Sequence, residues 1–365
     1  MTKLRVLHII PSFNVGGAEK VVLTYLQSAE STNIQFRAIS LYADRNTIYN
    51  KQICKEGLDV IYLDKHLGYD FGIILKIRKQ IKAFDPNVVH CHLRTMKYII
   101  PAMIGLNKRI KYFYTFHSII ESENKGLVDR FFNKIAFRFS HIVPIALNNT
   151  QLAKINRYYS ISSTRIIPNS IDVKRYVVDE SVRKQKRSDL NIDDEFVLGH
   201  VGRFDLVKNH SFILAVFCEL IKVNKNSKLL LVGGGSLLEE IKSKVVELGL
   251  LSNVIFTGSC YDIPSYMQAM DAFIFPSLYE GLGIVAIEAQ ASSLPCLASD
   301  KVPREVKITN LLEFESLNVH PQVWAEKILC MAEVNVRKDM SIFISNAGYS
   351  IEKMMQQLEN LYNNA

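Results

Sequence analysis

The strongest constraint on the fold of this 365-residue chain is a regular alternation of short apolar runs with amphipathic segments. Runs rich in β-branched residues, such as Leu4–Ile10 and Phe196–Val201, predict strands that are buried on both faces. Segments such as Phe71–Phe84 and Asn209–Val223 have the helical period. Strands that alternate with helices form parallel sheets covered by helices on both sides. The chain is also too long for one ordinary core, so two α/β domains are expected.

The predicted elements divide between the two halves. The strands are Leu4–Ile10, Gln35–Leu41, Val60–Leu63, Val88–His90, Tyr112–Thr115, Ile142–Ile145, then Phe196–Val201, Leu229–Val232, Val254–Phe256, Ala272–Phe275 and Cys296–Ala298. Further helices are predicted at Lys125–Phe139, Ser236–Gly249, Asp262–Met270, Ile284–Gln290 and Ile342–Leu361.

The expected domains are residues 1–172 and 196–341, joined by a linker at 173–195. The linker is predicted because the stretch is dense in charge and poor in large apolar residues. A C-terminal helix at about 342–365 is expected to pack back on the first domain. Two doubly wound, Rossmann-like domains would face each other across a cleft, and ligands would bind at the carboxyl ends of the strands.

Charge and cysteine usage restrict the partners and the compartment. Residues 1–172 carry 24 Lys and Arg against 12 Asp and Glu, whereas the remainder carries 20 against 24. A basic first half predicts an anionic partner. No nucleic-acid-binding motif is present, so we expect no nucleic acid and favour an anionic membrane surface or a diphosphate-linked lipid. Six scattered cysteines without a CxxC pair and the lack of an 18-residue apolar run predict a cytoplasmic protein.

The segment 126–141 (GLVDRFFNKIAFRFSH) allows two interpretations. Its cations Arg130, Lys134 and Arg138 recur every four residues and share one helical face. The stripe beside them holds Phe131, Ile135 and Phe139, with Phe132, Ala136 and Phe137 nearby. The helix either packs its aromatic residues on the sheet or docks on an anionic membrane, which would place the protein peripherally at the inner face of the cell membrane.

The most informative motif is Phe275–Ala291, in which Glu280 and Glu288 stand on either side of a Gly-Leu-Gly turn. A strand, a glycine turn and a helix start form an anion site, where the amides of Leu282 and Gly283 can meet a phosphate. Carboxylates beside such a site can accept hydrogen bonds from sugar or ribose hydroxyls. The alternative is that both glutamates are solvated charges.

A second motif follows the first strand of the second half. Arg203 and Lys208 stand five residues apart at a strand end and could neutralise a diphosphate leaving group. Fixed cations at that point stabilise the charge that grows as a C–O bond breaks. The alternative is two exposed basic residues.

The first half offers a glycine turn and several histidines. Gly16, Gly17 and Glu19 precede a helix and form either a tight turn or another anion site; the spacing is not GxGxxG, so a dinucleotide is disfavoured. His90, His92 and His117 follow strands, where functional groups are commonly placed. No further ligand has metal-site spacing, so no metal is expected.

These motifs, in this order over about residues 4–363, resemble the retaining nucleotide-sugar glycosyltransferases of family 4, which have the GT-B fold. The resemblance implies that the first domain binds the acceptor and the second binds the donor. It assigns His117 and Glu280 to catalysis; Arg203, Lys208, Gly17, Leu282 and Gly283 to the donor diphosphate; Glu288, Tyr261 and Ile263 to the ribose and base; and Gly16, Glu19 and His92 to the acceptor or a supporting role.

The implied reaction moves a hexose from a nucleotide diphosphate, UDP rather than GDP, to a hydroxyl of a polyprenyl-diphosphate-linked or other glycan acceptor, in capsule or exopolysaccharide synthesis. The anomeric configuration would be retained by front-face displacement. No Asp-x-Asp is present, so neither metal nor other cofactor is expected. Two departures from the family pattern are Ser170, where glycine is usual, and the stretch 300–305. The alternatives are a non-catalytic sugar-nucleotide-binding partner of a polysaccharide synthase, a GT-B epimerase and a phosphorylase.

Overall fold

A computed structural model describes residues 3–124, 126–334 and 336–364 of the chain. The chain divides into two compact units, Met1–Ser170 with Ile351–Ala365, and Ile171–Ser350. Lys125, where one helix was predicted to begin, lies outside the described residues. In the three described ranges, no helix is both long and apolar enough to cross a bilayer.

The first unit contains a parallel seven-stranded sheet in the order β3-β2-β1-β4-β5-β6-β7. Its core side chains come from both faces of β1, β4 and β5, as expected for a sheet that helices cover on both sides. The strands are β1 (Leu4–Ile10), β2 (Ile34–Ser40), β3 (Val60–Tyr62), β4 (Val88–His92), β5 (Lys111–Thr115), β6 (Ile142–Ala146) and β7 (Arg165–Ile166).

The second unit contains a parallel six-stranded sheet in the order β10-β9-β8-β11-β12-β13. The strands are β8 (Phe196–Val201), β9 (Ser227–Val232), β10 (Val254–Gly258), β11 (Ala272–Phe275), β12 (Cys296–Ser299) and β13 (Leu312–Glu315). Both sheets therefore have the doubly wound, Rossmann-like order that the sequence predicted. The short edge strands β7 and β13 were not predicted, because each carries only two to four residues of mixed character.

Helices connect the strands in both units. They are α1 (Gly17–Gln27), α2 (Ile48–Glu56), α3 (Gly72–Phe84), α4 (Met96–Met103), α5 (Ile120–Glu123), α6 (Leu127–Phe139), α7 (Asn149–Tyr159), α8 (Glu180–Asp189), α9 (His210–Val223), α10 (Leu238–Glu247), α11 (Ile263–Ala269), α12 (Ile284–Ala291), α13 (Pro321–Glu333), α14 (Ser341–Asn346) and α15 (Ile351–Asn364). Between α14 and α15, Gly348 takes φ 93°, which interrupts the single helix predicted at 342–361.

The stretch predicted as a charged linker contains α8 and belongs to the second unit. Asp179 caps the start of α8 by accepting hydrogen bonds from the amides of Ser181 and Val182. Arg187 is buried and donates to the carbonyl of Ala269 and to Asp271. The high charge of this stretch thus reflects buried ion pairing as well as solvation, which composition alone does not distinguish.

The C-terminal helix α15 belongs to the first unit. Its Tyr362 is buried, and the Tyr362 hydroxyl lies 2.6 Å from Nδ1 of His90. Lys111 at the start of β5 donates to the carbonyls of Tyr362 and Asn363. The cation at the carbonyl end of α15 also suits the helix dipole.

Candidate functional site

Two cations and the first glutamate of the predicted donor site lie together at the carboxyl ends of the strands of the second sheet. Strands β8 and β11 are adjacent and parallel, so the loops that follow them leave the sheet at the same edge. Arg203 and Lys208 follow β8, and Glu280 follows β11. The amide of Leu278 donates to the carbonyl of Val207 at 2.8 Å and joins the two loops. Sheet topology therefore unites groups that are 72 residues apart.

Lys208 and Glu280 form a largely shielded ion pair. Nζ of Lys208 lies 2.5 Å from Oε1 of Glu280, and the two side chains are only 18% and 13% exposed. The same Nζ lies 5.2 Å from the ring centroid of Phe275, a cation–π contact. Charges with little access to water interact more strongly than surface charges. An anionic ligand at this edge has to compete with Glu280 for Lys208.

Arg203 is placed by an aspartate that the sequence analysis did not select. Nε of Arg203 donates to Oδ2 of Asp205 at 2.8 Å, while the Arg203 side chain remains 64% exposed. Oδ1 of Asp205 accepts the amides of Val207 and Lys208 and so caps a 3-10 helix, Leu206–Lys208. Asp205 therefore couples the backbone of the loop to the direction of the guanidinium. The only feature of the sequence that could have identified Asp205 is its position two residues after Arg203.

The turn before α12 requires glycine. Gly283 has φ 90°, and a Cβ at this position would lie 3.1 Å from Phe275 and 3.3 Å from Val302. No side chain in the described part of the chain caps the start of α12. The first amides of the helix and its dipole are thus suited to an anion. The Leu282 side chain is buried, so this residue can offer a ligand only its backbone.

Glu288 lies within α12 and has a different partner from Glu280. It is 3% exposed, and the hydroxyl of Tyr176 donates to Oε1 at 2.5 Å. Tyr176 comes from the stretch that was predicted as linker, so the sequence analysis did not connect it with the site. The other residues predicted near the base are Tyr261, whose ring centroid lies 5.6 Å from the guanidinium of Arg175, and Ile263, which begins α11.

In the first unit, the glycine turn brings an acidic side chain to the start of α1. Gly16 is extended, and a Cβ there would lie 2.5 Å from Oε2 of Glu19. The carboxylate of Glu19 can therefore fold against the first turn, where the helix dipole favours negative charge. Gly17 is exposed, and nothing lies within 4 Å of where its Cβ would be. An anion that binds here has to share the helix start with Glu19.

Four histidines of the first unit form a cluster, of which the sequence analysis selected three. His8, His90 and His92 are fully buried, and His117 is partly buried. Nδ1 of His8 lies 3.0 Å from Nε2 of His92, and Nδ1 of His92 lies 2.9 Å from Nε2 of His117. Burial lowers the pKa of His8 and of His117 to about 3, and lowers that of His92 well below its ordinary value. All these rings are neutral at physiological pH.

The spacing of this cluster also admits a metal, although the hydrogen bonds do not favour one. Nitrogens of His8, His90 and His92 lie within 4.8 Å of one another. Both nitrogens of His90 are engaged, by the Tyr362 hydroxyl at 2.6 Å and by Oγ1 of Thr115 at 2.7 Å. Nδ1 of His8 and Nε2 of His92 face each other and share one hydrogen bond. His90 thus ties α15 and β5 to β4, which is a structural role.

Glu123 was not selected from the sequence and lies beside His117. It ends the four-residue helix α5 and is buried. Oε1 accepts the amide of His117 at 3.3 Å, and Oε2 accepts the hydroxyl of Tyr114 at 2.7 Å. Burial raises the pKa of Glu123 to about 7. Nothing in the sequence separates it from its exposed neighbour Glu121.

Comparisons with known proteins extend over most of the chain. The family model described as Glycosyltransferase Family 4 matches residues 15–175, and the model described as Glycosyl transferases group 1 matches residues 182–314. The putative glycosyltransferase EpsF of Bacillus subtilis is 29% identical, over 98% of this chain and 96% of its own length. The capsular polysaccharide biosynthesis glycosyltransferase CapH of Staphylococcus aureus is 24% identical, over 98% of both chains.

One further relative and one solved structure are also similar to this chain. The UDP-Gal:alpha-D-GlcNAc-diphosphoundecaprenol alpha-1,3-galactosyltransferase of Escherichia coli is 26% identical over 54% of this chain and 53% of its own. The structure of Anabaena Alr3699/HepE in complex with UDP and glucose superposes with a TM-score of 0.84 at 18% identity, over 99% of this chain and 100% of that one. At that identity the likeness establishes the fold.

Proposed function

We propose that this chain, which belongs to the family 4 glycosyltransferases and has their GT-B fold, transfers a hexose from UDP to a hydroxyl of a lipid-diphosphate-linked glycan. A role in bacterial polysaccharide synthesis is supported by the relative CapH, which is named for capsular polysaccharide biosynthesis. The observation that carries the proposal is the shielded Lys208–Glu280 pair beside Arg203 and the uncapped start of α12. Two cations and a helix N-terminus match a diphosphate, and the glutamate matches sugar hydroxyls.

Donor binding exchanges the partners of the ion pair. The donor diphosphate takes over Lys208, which releases Glu280 to accept hydrogen bonds from hydroxyls of the hexose. Arg203 is exposed and held by Asp205, so its guanidinium fork can grip two phosphate oxygens. Without donor, the two largely buried charges neutralise each other, which limits the cost of keeping an empty charged site.

In the reaction, the bond between the anomeric carbon and the phosphate oxygen breaks, and a bond to the acceptor oxygen forms on the same face. The departing phosphate oxygen takes the proton of the acceptor hydroxyl. Negative charge grows on the diphosphate as the bond breaks, and fixed cations stabilise that charge more in the transition state than in the ground state. Retention of configuration follows from attack on the same face.

The donor and acceptor classes rest on the relatives and on charge. The E. coli relative is named for a UDP-linked galactose and a diphosphoundecaprenol acceptor, and the Anabaena structure holds UDP. Residues 1–172 of this chain carry twice as many basic as acidic residues, which suits an acceptor with a diphosphate in an anionic bilayer.

Helix α6 is the proposed contact with that bilayer. Phe131 is 60% and Phe139 is 69% exposed, whereas Phe137 is buried against the core. The cations Arg130, Lys134 and Arg138 are exposed on the same helix. Of the two interpretations of this segment, packing on the sheet thus accounts for only some of the aromatic residues. Exposed rings next to cations match the interface of an anionic membrane.

The transfer is tested with a panel of UDP- and GDP-hexoses and a bacterial lipid extract, by measuring release of nucleotide diphosphate and the anomeric configuration of the product. We expect turnover with a UDP-hexose and a retained configuration. Lys208→Ala should abolish most turnover, whereas Lys222→Ala, which breaks an exposed Lys–Glu pair on α9, should not. Binding of a UDP-sugar without turnover under any acceptor condition would favour the non-catalytic alternative.

The membrane contact is tested by flotation with phosphatidylglycerol liposomes. We expect wild type to float at low salt and not at high salt, because each basic residue adds about 1 kcal/mol of screened attraction. The triple variant with Arg130, Lys134 and Arg138 changed to Glu should not float with the liposomes. Changing Lys51, Lys55 and Lys82 to Glu alters the net charge equally on exposed positions of α2 and α3 and is the control. Equal flotation of both triple variants contradicts docking through α6.

A further inference from the structure

The starts of three helices of the first unit bring cations and exposed apolar side chains together. Helix α4 packs against both α3 and α6. Tyr69, in the loop before α3, donates from its hydroxyl to the carbonyl of Lys97 at 3.3 Å. Lys97, in the first turn of α4, donates from Nζ to Oδ1 of Asp129 in the first turn of α6 at 2.8 Å. Side-chain contacts thus join the three helix starts into one surface.

Two cations of this surface converge on one carboxylate. Asp129 is only 8% exposed, and besides Lys97 it meets Nη1 of Arg94, which lies 3.7 Å from Oδ2. That separation is longer than a hydrogen bond, and the Arg94 side chain is 49% exposed. The cluster therefore carries more positive than negative charge. Arg94 can turn to another anion while Lys97 still neutralises Asp129.

A strained turn presents Arg94 at the start of α4. Leu93 takes φ 49°, a conformation that is uncommon for a bulky residue other than glycine. His92 and Thr95 on either side are fully buried, and Oγ1 of Thr95 donates to the carbonyl of His92 at 3.1 Å. Such strain persists only where the surroundings fix it, and it is common at ligand sites. The turn holds the exposed Arg94 between two anchored neighbours.

The loop before α3 presents two large apolar side chains from a fixed backbone. Leu67 is 88% and Phe71 is 75% exposed. Lys65 is buried, and its Nζ donates to the carbonyls of His66 and Gly68. Because the backbone is held from below, these side chains stay in solvent unless a partner covers them.

We propose that Arg94 and Lys97 bind the diphosphate of the lipid-linked acceptor. Leu67 and Phe71 contact the isoprenoid units next to that diphosphate. The proposal rests on the proposed function for the identity of the lipid. The guanidinium fork of Arg94 can grip two phosphate oxygens. Lys97 has three N–H donors, so it can donate to a phosphate oxygen and keep its bond to Asp129.

The apolar side chains decide the class of ligand. Cations alone suit any phosphate, whereas cations beside exposed hydrocarbon suit a phosphate that carries an apolar chain. Tyr69 connects the two features, because its ring lies 4.7 Å from that of Phe71 and its hydroxyl contacts Lys97. A diphosphate-linked polyprenyl chain matches both.

The binding test is calorimetric titration of the full chain with farnesyl diphosphate, in saturating UDP so that the proposed donor site is occupied. We expect Arg94→Gln to weaken binding about 10-fold or more, because charged hydrogen bonds to phosphate are lost. Arg109→Gln is the matched control, since it removes an exposed arginine beyond the other end of α4. Equal dissociation constants for the two variants overturn the proposal.

The hydrocarbon contact is tested by comparing farnesyl diphosphate with inorganic diphosphate. We expect wild type to prefer farnesyl diphosphate, and Phe71→Ser to weaken its binding about fivefold while leaving inorganic diphosphate unchanged. Ile104→Ser, which alters a 70% exposed apolar side chain after α4, is the control. If Phe71→Ser equals Ile104→Ser, or wild type binds both ligands equally, the lipid assignment is wrong.

Flotation with phosphatidylglycerol liposomes distinguishes the acceptor from the headgroups of the bilayer. Arg94→Gln should float as wild type does at low salt, because the exposed cations of α6 are unchanged. Loss of flotation with unchanged affinity for farnesyl diphosphate assigns Arg94 to bilayer headgroups and overturns the proposal.

Kinetics separate this proposal from the proposed function. In an active enzyme, Arg94→Gln should raise the apparent KM for the extracted lipids about 10-fold and change KM for the UDP-hexose less than about twofold. If wild type turns over no nucleotide sugar, the proposed function fails, while the titrations still decide the diphosphate site. If wild type is active and Arg94→Gln equals Arg109→Gln in titration and in KM for the lipids, the function stands and this acceptor site is wrong.

Discussion

The two units place opposite kinds of chemistry at the carboxyl ends of similar sheets. In the first unit, three neutral imidazoles are joined ring to ring, and two of the rings have no access to water. In the second unit, a charged pair and an exposed arginine lie at the carboxyl ends of the strands. Neutral donors and acceptors suit sugar hydroxyls, whereas fixed cations suit a diphosphate. One architecture thus offers either chemistry, depending on the residues on its strands and in its loops.

Net charge does not report the charge at the site. Residues 1–172 have a basic balance, yet the candidate ligand contacts at their strand ends are uncharged histidines. The remainder of the chain has an acidic balance, yet it holds Arg203 and Lys208. The basic residues of the first half, such as Arg130 and Lys134, lie on exposed helix surface. Overall charge is therefore a guide to the surfaces that a unit presents, and individual residues decide its site.

The largest effect should come from removing charge in the second unit. We expect Arg203→Ala and Glu288→Ala each to lower kcat/KM about 100-fold or more, because a lost charged hydrogen bond costs about 2–4 kcal/mol. Arg203→Ala combined with Lys208→Ala should lower it about 1000-fold or more. Steady-state kinetics with the preferred UDP-hexose measure this. Activity of folded Arg203→Ala within threefold of wild type contradicts the donor-site assignment.

Buried Glu123, which lies beside the neutral histidines of the first unit, should contribute to the pH dependence of stability. The folded state holds the proton of Glu123 more tightly than the unfolded chain does. The stability that comes from this protonated side chain is therefore fully present below pH 4.5 and is lost as pH rises through about 7. Burial is the main cause of the raised pKa; the hydrogen bonds from Tyr114 and from the amide of His117, and the charge of Arg94, oppose it, and Asp129 reinforces it. The contribution of Glu123 to the free energy of unfolding should therefore fall by about 3 kcal/mol over this window, whereas the buried histidines, whose pKa values are lowered, contribute a change of the opposite sign.

Urea unfolding of wild type and Glu123→Gln at several pH values tests that expectation. The variant carries a neutral side chain of the same shape and should lose this part of the pH dependence. Glu121→Gln, on the same short helix but exposed, should behave as wild type. If Glu123→Gln follows the wild-type curve, Glu123 is ionised over the whole pH range, and only the histidines beside it are neutral.

A smaller effect is expected from Tyr176→Phe, which tests whether the buried glutamate needs its hydroxyl partner. The change removes one hydrogen bond to Glu288 and should lower kcat/KM about threefold to tenfold, since such a bond is worth about 1.5–3 kcal/mol in full and other contacts compensate in part. Exposed Tyr158 provides the control change to Phe. Activity of Tyr176→Phe equal to that control indicates that Glu288 is placed by α12 alone.

Chelator should have the smallest effect. Arg203 and Lys208 can supply the positive charge that a metal would otherwise bring to the diphosphate, so we expect turnover in excess EDTA to stay within about twofold. Complete loss of turnover, restored by Mg²⁺ or Mn²⁺, would show that the cations of the second unit do not suffice.

Local sequence patterns predicted most of the fold. Strand β1 and helix α9 lie where apolar period and length placed them, and the two sheets follow from the alternation of these elements. Helix α8 was missed because its charged residues are typical of a linker, whereas Arg187 is buried by contacts with Asp271 and the carbonyl of Ala269. Those contacts are 82 and 84 residues away and leave no trace in a local window.

For the candidate site, the sequence identified residue types and strand ends. Arg203, Lys208 and Glu280 were recognisable because they follow apolar runs that end in turns. It did not identify Tyr176, Asp205 or Glu123, whose importance lies in what they contact. Tyr176 stands in a charged stretch and Glu123 in a short helix, and both look ordinary until folding brings Tyr176 to the carboxylate of Glu288 and Glu123 to the amide of His117.

The sequence by itself determined the period of each element, the glycine at the α12 turn and the charges available to the donor site, because these depend on residues a few positions apart. Only the tertiary structure decided the partners. Lys208 meets Glu280 because β8 and β11 are neighbours, and His8 meets His92 because β1 lies beside β4. Strand order is set by packing of the whole sheet, so contacts of 72 and 84 residues' separation arise from global burial rather than from local pattern.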